Sequence, residues 1–241
     1  MYLFAKDRSV LDYGCGSGSL LREIADRIGE GIGVDLDERL VLEGRQRNTF
    51  SHIRFVQADA KRKLPFDDGS FDVITAMGVL EHVGPEAPVL QELHRVLRPD
   101  GHLVIEVPSK GPFRIFDVGN IKYRLPRLHR WFYYYVARRP NYYEENFGPQ
   151  APMFGQFSRD AYQHKHYSTD ELSELAAPWF RMEQHIYHGV FYELIQFAEI
   201  IVNRPLGKVG SKLFGWLARQ DDKLVSPHRG ANVVAIFQRR N

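Results

Sequence analysis

The residues that could do chemistry begin with three glycines at alternate positions, Gly14, Gly16 and Gly18, and with the acid Asp12 just ahead of them. Glycine suits a turn that needs positive φ or lets a ligand approach the backbone closely. An apolar run precedes the turn and apolar residues at helical spacing follow it, which predicts a strand, a tight turn and a helix. We interpret the turn as the floor of a nucleoside pocket, because the helix start points at whatever the turn holds.

The glycine spacing distinguishes between two kinds of ligand. A dinucleotide fingerprint places its third glycine three residues after the second, whereas Gly18 follows Gly16 by two. Asp12 would repel a phosphate, but it would accept a hydrogen bond from a cationic amine. A tight turn without any ligand would use the same glycines, so this motif alone leaves both interpretations open.

Further acids follow the next two predicted strands. Asp35 ends an apolar run, at the place where a carboxylate can accept both ribose hydroxyls of a nucleoside held at the turn. Asp37 is the alternative, although the apolar residues after it favour a helix N-cap. Asp59 follows the third strand and is either a capping residue or a further ligand. Its place in a series with Asp12 and Asp35 favours the ligand.

A longer pattern covers the following residues. Leu-Pro-Phe-Asp-Asp-Gly-Ser-Phe-Asp-Val at 64–73 leads into a β-branched strand, and Leu-Glu-His-Val follows at 80–83. Glu-Leu-His-Arg-Val-Leu-Arg-Pro-Asp-Gly at 92–101 precedes another strand. With the glycine turn, these segments resemble class I S-adenosylmethionine-dependent methyltransferases, in particular the group that contains quinone and sterol C-methyltransferases and many small-molecule O-methyltransferases. The resemblance covers residues 9 to about 108.

The resemblance implies an α/β fold, a Rossmann-like doubly wound sheet of seven mostly parallel strands with an antiparallel last strand and a cap insertion. It implies S-adenosyl-L-methionine as cofactor and S-adenosyl-L-homocysteine as product. Asp12 would then hold the amine end, Asp35 the ribose and Asp59 the adenine. The full set of expected cofactor-binding residues is Asp12, Tyr13, Gly14, Cys15, Gly16, Asp35, Leu36, Asp59, Ala60 and Met77.

Few residues are expected to carry the methyl transfer itself. The protein must align donor and acceptor, exclude water and, for a hydroxyl acceptor, remove a proton. His82, after the fourth strand, and His166, on the cap side, are the candidate bases. The alternative for His82 is a helix-start histidine bonded to a nearby carbonyl, and the alternative for His166 is packing of the helix start. The candidate substrate-binding residues are Tyr123, His166 and Tyr167.

Composition limits the class of protein. The 241 residues are 44% hydrophobic and 26% charged, with a net charge of +2, which is typical of a globular domain. Cys15 is the single cysteine, so a disulfide framework or a cysteine-rich zinc site is excluded, and we expect no metal. No apolar run reaches the ~18 residues of a membrane span and no signal-peptide pattern opens the chain, so a cytoplasmic protein is expected.

We expect one methyltransferase domain over residues 1–241. Residues 8–108 would form its cofactor-binding half, residues 109–165 a cap or substrate insertion, and residues 166–241 the last helix and strands, with a helical insertion at 189–230. Ser168 or Thr169, followed by Asp170 and Glu171, predicts the start of that last helix. The glycine turn lies close to residue 1, so the cap is also expected to cover the cofactor.

The predicted cap is rich in cations and aromatic rings. It admits three interpretations: a folded cap around the substrate, a surface that lies on anionic lipid, or a nucleic-acid groove. The chain is nearly neutral and lacks any RNA-binding module, which makes nucleic acid the weakest of the three. Residues 110–140 carry eight basic side chains against the acid Asp117, and these are Lys110, Arg114, Lys122, Arg124, Arg127, Arg130, Arg138 and Arg139.

The expected function is transfer of a methyl group from S-adenosylmethionine to an oxygen or carbon of a small, hydrophobic or lipid-linked acceptor. Contact with a membrane surface is one of the interpretations of the cap that stay open. The alternatives are a protein that binds S-adenosylmethionine without catalysis and an RNA methyltransferase that uses the basic insert. The sequence predicts neither the acceptor nor the oligomeric state.

Overall fold

A computed structural model describes residues 4–58, 63–111, 125–136, 138–147, 165–189, 214–221 and 228–240, with a few single residues between 191 and 226. Seven strands form one sheet: β1 Ser9–Tyr13, β2 Glu30–Asp35, β3 Ile53–Gln57, β4 Phe71–Met77, β5 Leu97–Pro108, β6 Phe180–His188 and β7 Asn232–Arg239.

The strand order is β3-β2-β1-β4-β5-β7-β6. Strands β1 to β5 pair in parallel, whereas β7 runs antiparallel between β5 and β6. The predicted doubly wound sheet, mostly parallel with an antiparallel last strand, is confirmed. After β3 the chain returns to the other side of β1, so the order reverses between β1 and β4. Such a reversal opens a crevice at the carboxyl ends of the strands, where ligands bind in sheets of this kind.

Helices cover the sheet. Those of the first half are α1 Ser19–Ile24, α2 Glu38–Arg47 and α3 Glu86–Val96. The insertion after β5 holds α4 Pro126–Trp131, a π-helical turn at Phe132–Val136 and α5 Pro140–Phe147, and α6 Thr169–Ala176 precedes β6. Residues 214–221 form a further helix, α7. Most of the helical insertion predicted at 189–230 lies outside the described residues.

The core has one layer on each side of the sheet. Leu11 and Tyr13 of β1 point to the side covered by α3 and α6, and Val10 points to the side covered by α1 and α2. This alternation follows from the pleat of a strand, in which successive side chains leave opposite faces. Both faces of β1 are buried, so the strand reads as a nearly continuous apolar run in the sequence.

Two predicted helix starts are confirmed. The Asp37 side chain accepts a hydrogen bond from the Arg39 amide at 2.9 Å, which is the N-cap of α2. The Ser168 side chain and Glu171 form a reciprocal capping box at the start of α6.

The 64–101 motif residues stabilise the amino end of the sheet. The Asp72 carboxylate accepts hydrogen bonds from the Ser9 amide at 2.8 Å and from Arg98, which ties β4 to β1. The Arg95 guanidinium bonds Glu92 at 2.6 Å and Asp68 at 2.7 Å, and so holds the loop before β4 against α3. These residues lie at the edge opposite to the crevice, so their role here is structural.

Candidate functional site

The glycine turn joins β1 to α1 at the crevice. Gly14, Gly16 and Gly18 adopt φ values of 75°, 53° and 77°, a region that only glycine enters without strain. The amides of Gly14 and Cys15 both donate to the Val34 carbonyl, at 2.8 and 3.0 Å. The turn is therefore attached to the end of β2.

The three glycines differ in what surrounds them. A Cβ on Gly14 would lie 2.3 Å from a Val79 methyl carbon, and one on Gly18 would lie 2.1 Å from the Phe55 ring. Among the described residues, nothing lies within 4 Å of a Cβ placed on Gly16. Packing of the protein itself therefore explains Gly14 and Gly18, whereas Gly16 faces open space that a ligand can occupy.

Asp35 lies beside the open side of the turn, as predicted. One carboxylate oxygen accepts the Gly16 amide at 2.8 Å and the other accepts the Asp37 amide at 2.8 Å. These bonds fix the orientation of the carboxylate. An ionised carboxylate has about four lone-pair sites, so both oxygens retain capacity for a further donor such as a ribose hydroxyl.

Asp12 is buried under the turn, with 3% of its surface exposed. The Thr75 hydroxyl donates to its Oδ1 at 2.8 Å. Burial raises the pKa of Asp12 to about 6; the Thr75 hydrogen bond opposes this rise, and the Asp35 charge adds to it. A cation placed beside Asp12 would favour the ionised form, so the site is suited to an amine.

The other predicted cofactor residues are distributed around the turn. The thiol of Cys15 is buried, which raises its pKa and makes it unreactive. Tyr13 packs in the core, and Met77 ends β4 at the crevice. Leu36 is 38% exposed next to Asp35, an apolar surface that an adenine ring can cover. The predicted residues Asp59 and Ala60 lie outside the described residues.

The two candidate catalytic histidines lie in different settings. His82 is on a short 3-10 turn after β4, with its Nε2 3.9 Å from a Glu81 carboxylate oxygen. His166 is partly buried just before α6. Nothing in the structure tests either as a base, so both roles stay predictions.

Tyr167, one of the predicted substrate-binding residues, is buried. It is 1% exposed, and its hydroxyl donates to Glu86 at 2.9 Å, with the Leu80 carbonyl at 3.2 Å. Burial raises its pKa, and the Glu86 charge adds to this. The ring packs under Lys165 at 4.9 Å. Its contribution to substrate binding stays a prediction, and the predicted Tyr123 lies outside the described residues.

The described part of the cap presents apolar and cationic side chains to solvent. Its exposed apolar side chains are Leu125, Leu128, Trp131 and Tyr135, and its exposed cations are Arg127, Arg130, Arg138 and Arg139. His129 is buried beneath them, 5.0 Å from the Tyr133 ring. An aromatic cluster thus supports a surface of mixed apolar and basic character.

Sequence reasoning missed a polar pair on the same edge of the sheet. His188, at the end of β6, bonds Glu106, near the end of β5, with 2.9 Å between Nε2 and Oε1. The signal was present, because a glutamate interrupts the apolar run of β5. The partner, however, is far away in the chain and no motif connects the two.

The part of the chain that resembles known proteins includes the residues at the crevice. Residues 11–105 match the sequence profile of the family described as Methyltransferase domain. The similarity to a methyltransferase domain thus covers the glycine turn, Asp35 and β4, and it ends next to Glu106.

Relatives of the methyltransferase domain include enzymes of quinone biosynthesis. The chain is 38% identical over 108 residues to the demethylmenaquinone methyltransferase of Beutenbergia cavernae, over 45% of this chain and 44% of that protein. It is 29% identical over 108 residues to the ubiquinone biosynthesis O-methyltransferase of Acinetobacter baumannii, over 44% of this chain and 46% of that protein. The alignments thus span less than half of these curated relatives.

Solved structures share the fold over nearly the whole chain. An S-adenosylmethionine dependent methyltransferase from Mesorhizobium loti gives a TM-score of 0.59 at 16% identity, over 99% of this chain and 94% of that one. A putative methyltransferase from Bacillus halodurans gives 0.56 at 20% identity, over 98% and 94%. At these identities the similarity supports the fold of the methyltransferase domain.

None of the helices in the described part of the chain is long and apolar enough to cross a membrane. Among the same residues, no group of three or more His, Cys, Asp or Glu side chains could hold a metal ion.

Proposed function

We propose that this chain binds S-adenosylmethionine at the glycine turn and transfers its methyl group to an oxygen or carbon of a small, hydrophobic or lipid-linked acceptor. The observation that carries the proposal is the series at the crevice: buried Asp12, open Gly16 and the fixed carboxylate of Asp35. Such a series fits a ligand with an amine at one end and a nucleoside at the other.

The residues at the turn fit this cofactor. Asp12 would hold the ammonium group, the open face of Gly16 would admit the ligand to the backbone, and Asp35 would accept the ribose hydroxyls. Leu36 would cover one side of the adenine. When bound, the cofactor supplies an activated methyl group and a neutral leaving group, so the protein has to orient the acceptor, exclude water and accept a proton.

The acceptor class is supported by the relatives and by the cap. Two relatives are named as a demethylmenaquinone methyltransferase and a ubiquinone biosynthesis O-methyltransferase. The cap exposes apolar and basic side chains that suit a lipid surface. Contact of the cap with anionic membrane is therefore part of the proposal.

Cofactor affinity is expected to depend on pH through Asp12. A cation binds the ionised carboxylate, so affinity is full above the pKa of about 6 and decreases as the pH falls through it. We expect the affinity for S-adenosylhomocysteine to fall about tenfold between pH 7 and pH 5, measured by calorimetry. Asp12→Asn should bind weakly and lose this dependence. An unchanged pH dependence in Asp12→Asn would assign the effect to another group.

Incubation with methyl-labelled S-adenosylmethionine and cell extract tests the proposed function. Label is expected in lipid or in hydrophobic small molecules, and Asp35→Ala should abolish its incorporation. Label in RNA would contradict the acceptor class, and tight cofactor binding without any incorporation would favour a binding protein.

Adding phosphatidylglycerol vesicles and sedimenting them tests membrane contact, since the protein should then sediment with the vesicles.

A further inference from the structure

A row of residues that are paired between neighbouring strands crosses four strands beside the glycine turn. Met77 of β4 pairs with Glu106 of β5, Glu106 pairs with Val234 of β7, and Val234 pairs with Ile186 of β6. Paired residues of neighbouring strands direct their side chains to the same face. The row is thus apolar except for one carboxylate.

The row lies on the same face of the sheet as Asp12. Asp12 pairs with Thr75, and their side chains are hydrogen-bonded to each other. Met77 follows Thr75 by two residues, so it points to the same side. On this face the described residues leave the row accessible: Met77 and Val234 are partly buried, and Ile186 is 45% exposed.

The position of the row relative to the cofactor residues follows from the strand order. Asp35 is on β2 and Asp12 on β1, whereas Glu106 is on β5, on the other side of β4. Neighbouring strands lie about 4.8 Å apart, so β5 is about 10 Å from β1. A ligand that extends from β2 across β1 to Met77 of β4 leaves β5 and the strands beyond it to a second molecule, with Met77 between the two.

The side chain and the backbone of Glu106 are each held by one hydrogen bond. Its Oε1 is bonded to His188 Nε2 at 2.9 Å, and the Glu106 carbonyl accepts the Gly78 amide at 3.0 Å. Within the residues that the structure describes, Oε2 makes no hydrogen bond to the protein. The Glu106 side chain is 23% exposed, so this oxygen can accept a hydrogen bond from a ligand.

We propose that this row is the floor of the acceptor pocket and that Glu106 accepts the proton of a phenolic hydroxyl on the acceptor. The inference rests on the proposed function and specifies the acceptor as a hydrophobic phenol. Its ring would lie on Met77, Val234 and Ile186, and its hydroxyl would donate to Glu106. As the oxygen–methyl bond forms and the sulfur–methyl bond breaks, the hydroxyl proton moves to the carboxylate, and S-adenosylhomocysteine and the methyl ether leave. His188 is a positioning residue that orients the carboxylate.

The test uses the full chain, labelled S-adenosylmethionine and two probe acceptors, 4-methylcatechol and the more acidic 4-nitrocatechol. Glu106→Gln should lower kcat with 4-methylcatechol about 100-fold, the usual contribution of a proton-accepting group. The loss should be less than about tenfold with 4-nitrocatechol, because an ionised hydroxyl needs no base. Ile186→Asp should raise the KM for both probes. Glu174→Gln, on the exposed side of α6, is the matched control and should change nothing.

Binding of S-adenosylhomocysteine, measured by calorimetry, separates the outcomes. It should stay unchanged in all three variants. Equal losses of kcat for both catechols in Glu106→Gln, or no loss, would overturn the role of Glu106 while leaving the proposed function intact. A wild-type protein that binds S-adenosylhomocysteine but methylates neither catechol would overturn the phenolic acceptor and this inference with it.

Discussion

Replacing Asp35 with alanine is expected to weaken binding of S-adenosylhomocysteine about 100-fold or more. The carboxylate would accept both ribose hydroxyls, and a hydrogen bond to a charged group contributes about 1.5–3 kcal/mol. The substitution also releases the Gly16 and Asp37 amides, which Asp35 holds at 2.8 Å each. Calorimetric titration of the two proteins measures the change.

Asp37→Ala is the matched control for this experiment. Asp37 lies two residues away and caps α2 through the Arg39 amide. Its removal is expected to cost about 1 kcal/mol of stability, as for other N-caps, and to leave ligand affinity within about threefold. If Asp37→Ala weakened binding as much as Asp35→Ala, the ribose would have been assigned to the wrong carboxylate.

Alanine at Gly18 and alanine at Gly16 are expected to have opposite consequences. At Gly18 the new methyl would lie 2.1 Å from the buried Phe55 ring at a φ of 77°. Strain and overpacking together should lower the free energy of unfolding by about 2–5 kcal/mol in urea titrations. At Gly16 the methyl meets no atom of the described residues, so the loss should be about 1–2 kcal/mol, from the left-handed backbone alone.

For ligand affinity we expect the opposite order, with the larger loss in Gly16→Ala. The Gly16 methyl would enter the space where the cofactor approaches the backbone, so we expect Gly16→Ala to bind S-adenosylhomocysteine about tenfold more weakly, or worse. Gly18→Ala, below its unfolding temperature, should retain more affinity than Gly16→Ala. The opposite order in both measurements would mean that Gly18, and not Gly16, borders the ligand.

The positions of the glycine turn and its neighbouring acids were predictable because their signals are local. Asp12, the glycines and Asp35 lie at strand ends that the apolar runs already indicate, and strand ends of a parallel sheet meet at one edge. The fold could be predicted for the same reason. The N-caps of α2 and α6 likewise depend on residues within one turn of each other.

The acceptor side depends on contacts that the sequence does not encode locally. Glu106 and His188 come together only because β7 inserts between β5 and β6. Tyr167, near the cap, was predicted to bind substrate. The isolated bridge between Ser109 and Tyr167 places it in the core. Burial and pairing over such distances follow from the assembled sheet and not from residue spacing.

A crystal structure of the chain with S-adenosylhomocysteine would show where the ligand binds. We expect the ribose hydroxyls within hydrogen-bond distance of Asp35, the amine beside Asp12 and the ligand against the open face of Gly16. A ligand bound elsewhere on the sheet, or one whose ribose and amine contact neither carboxylate, would contradict this expectation.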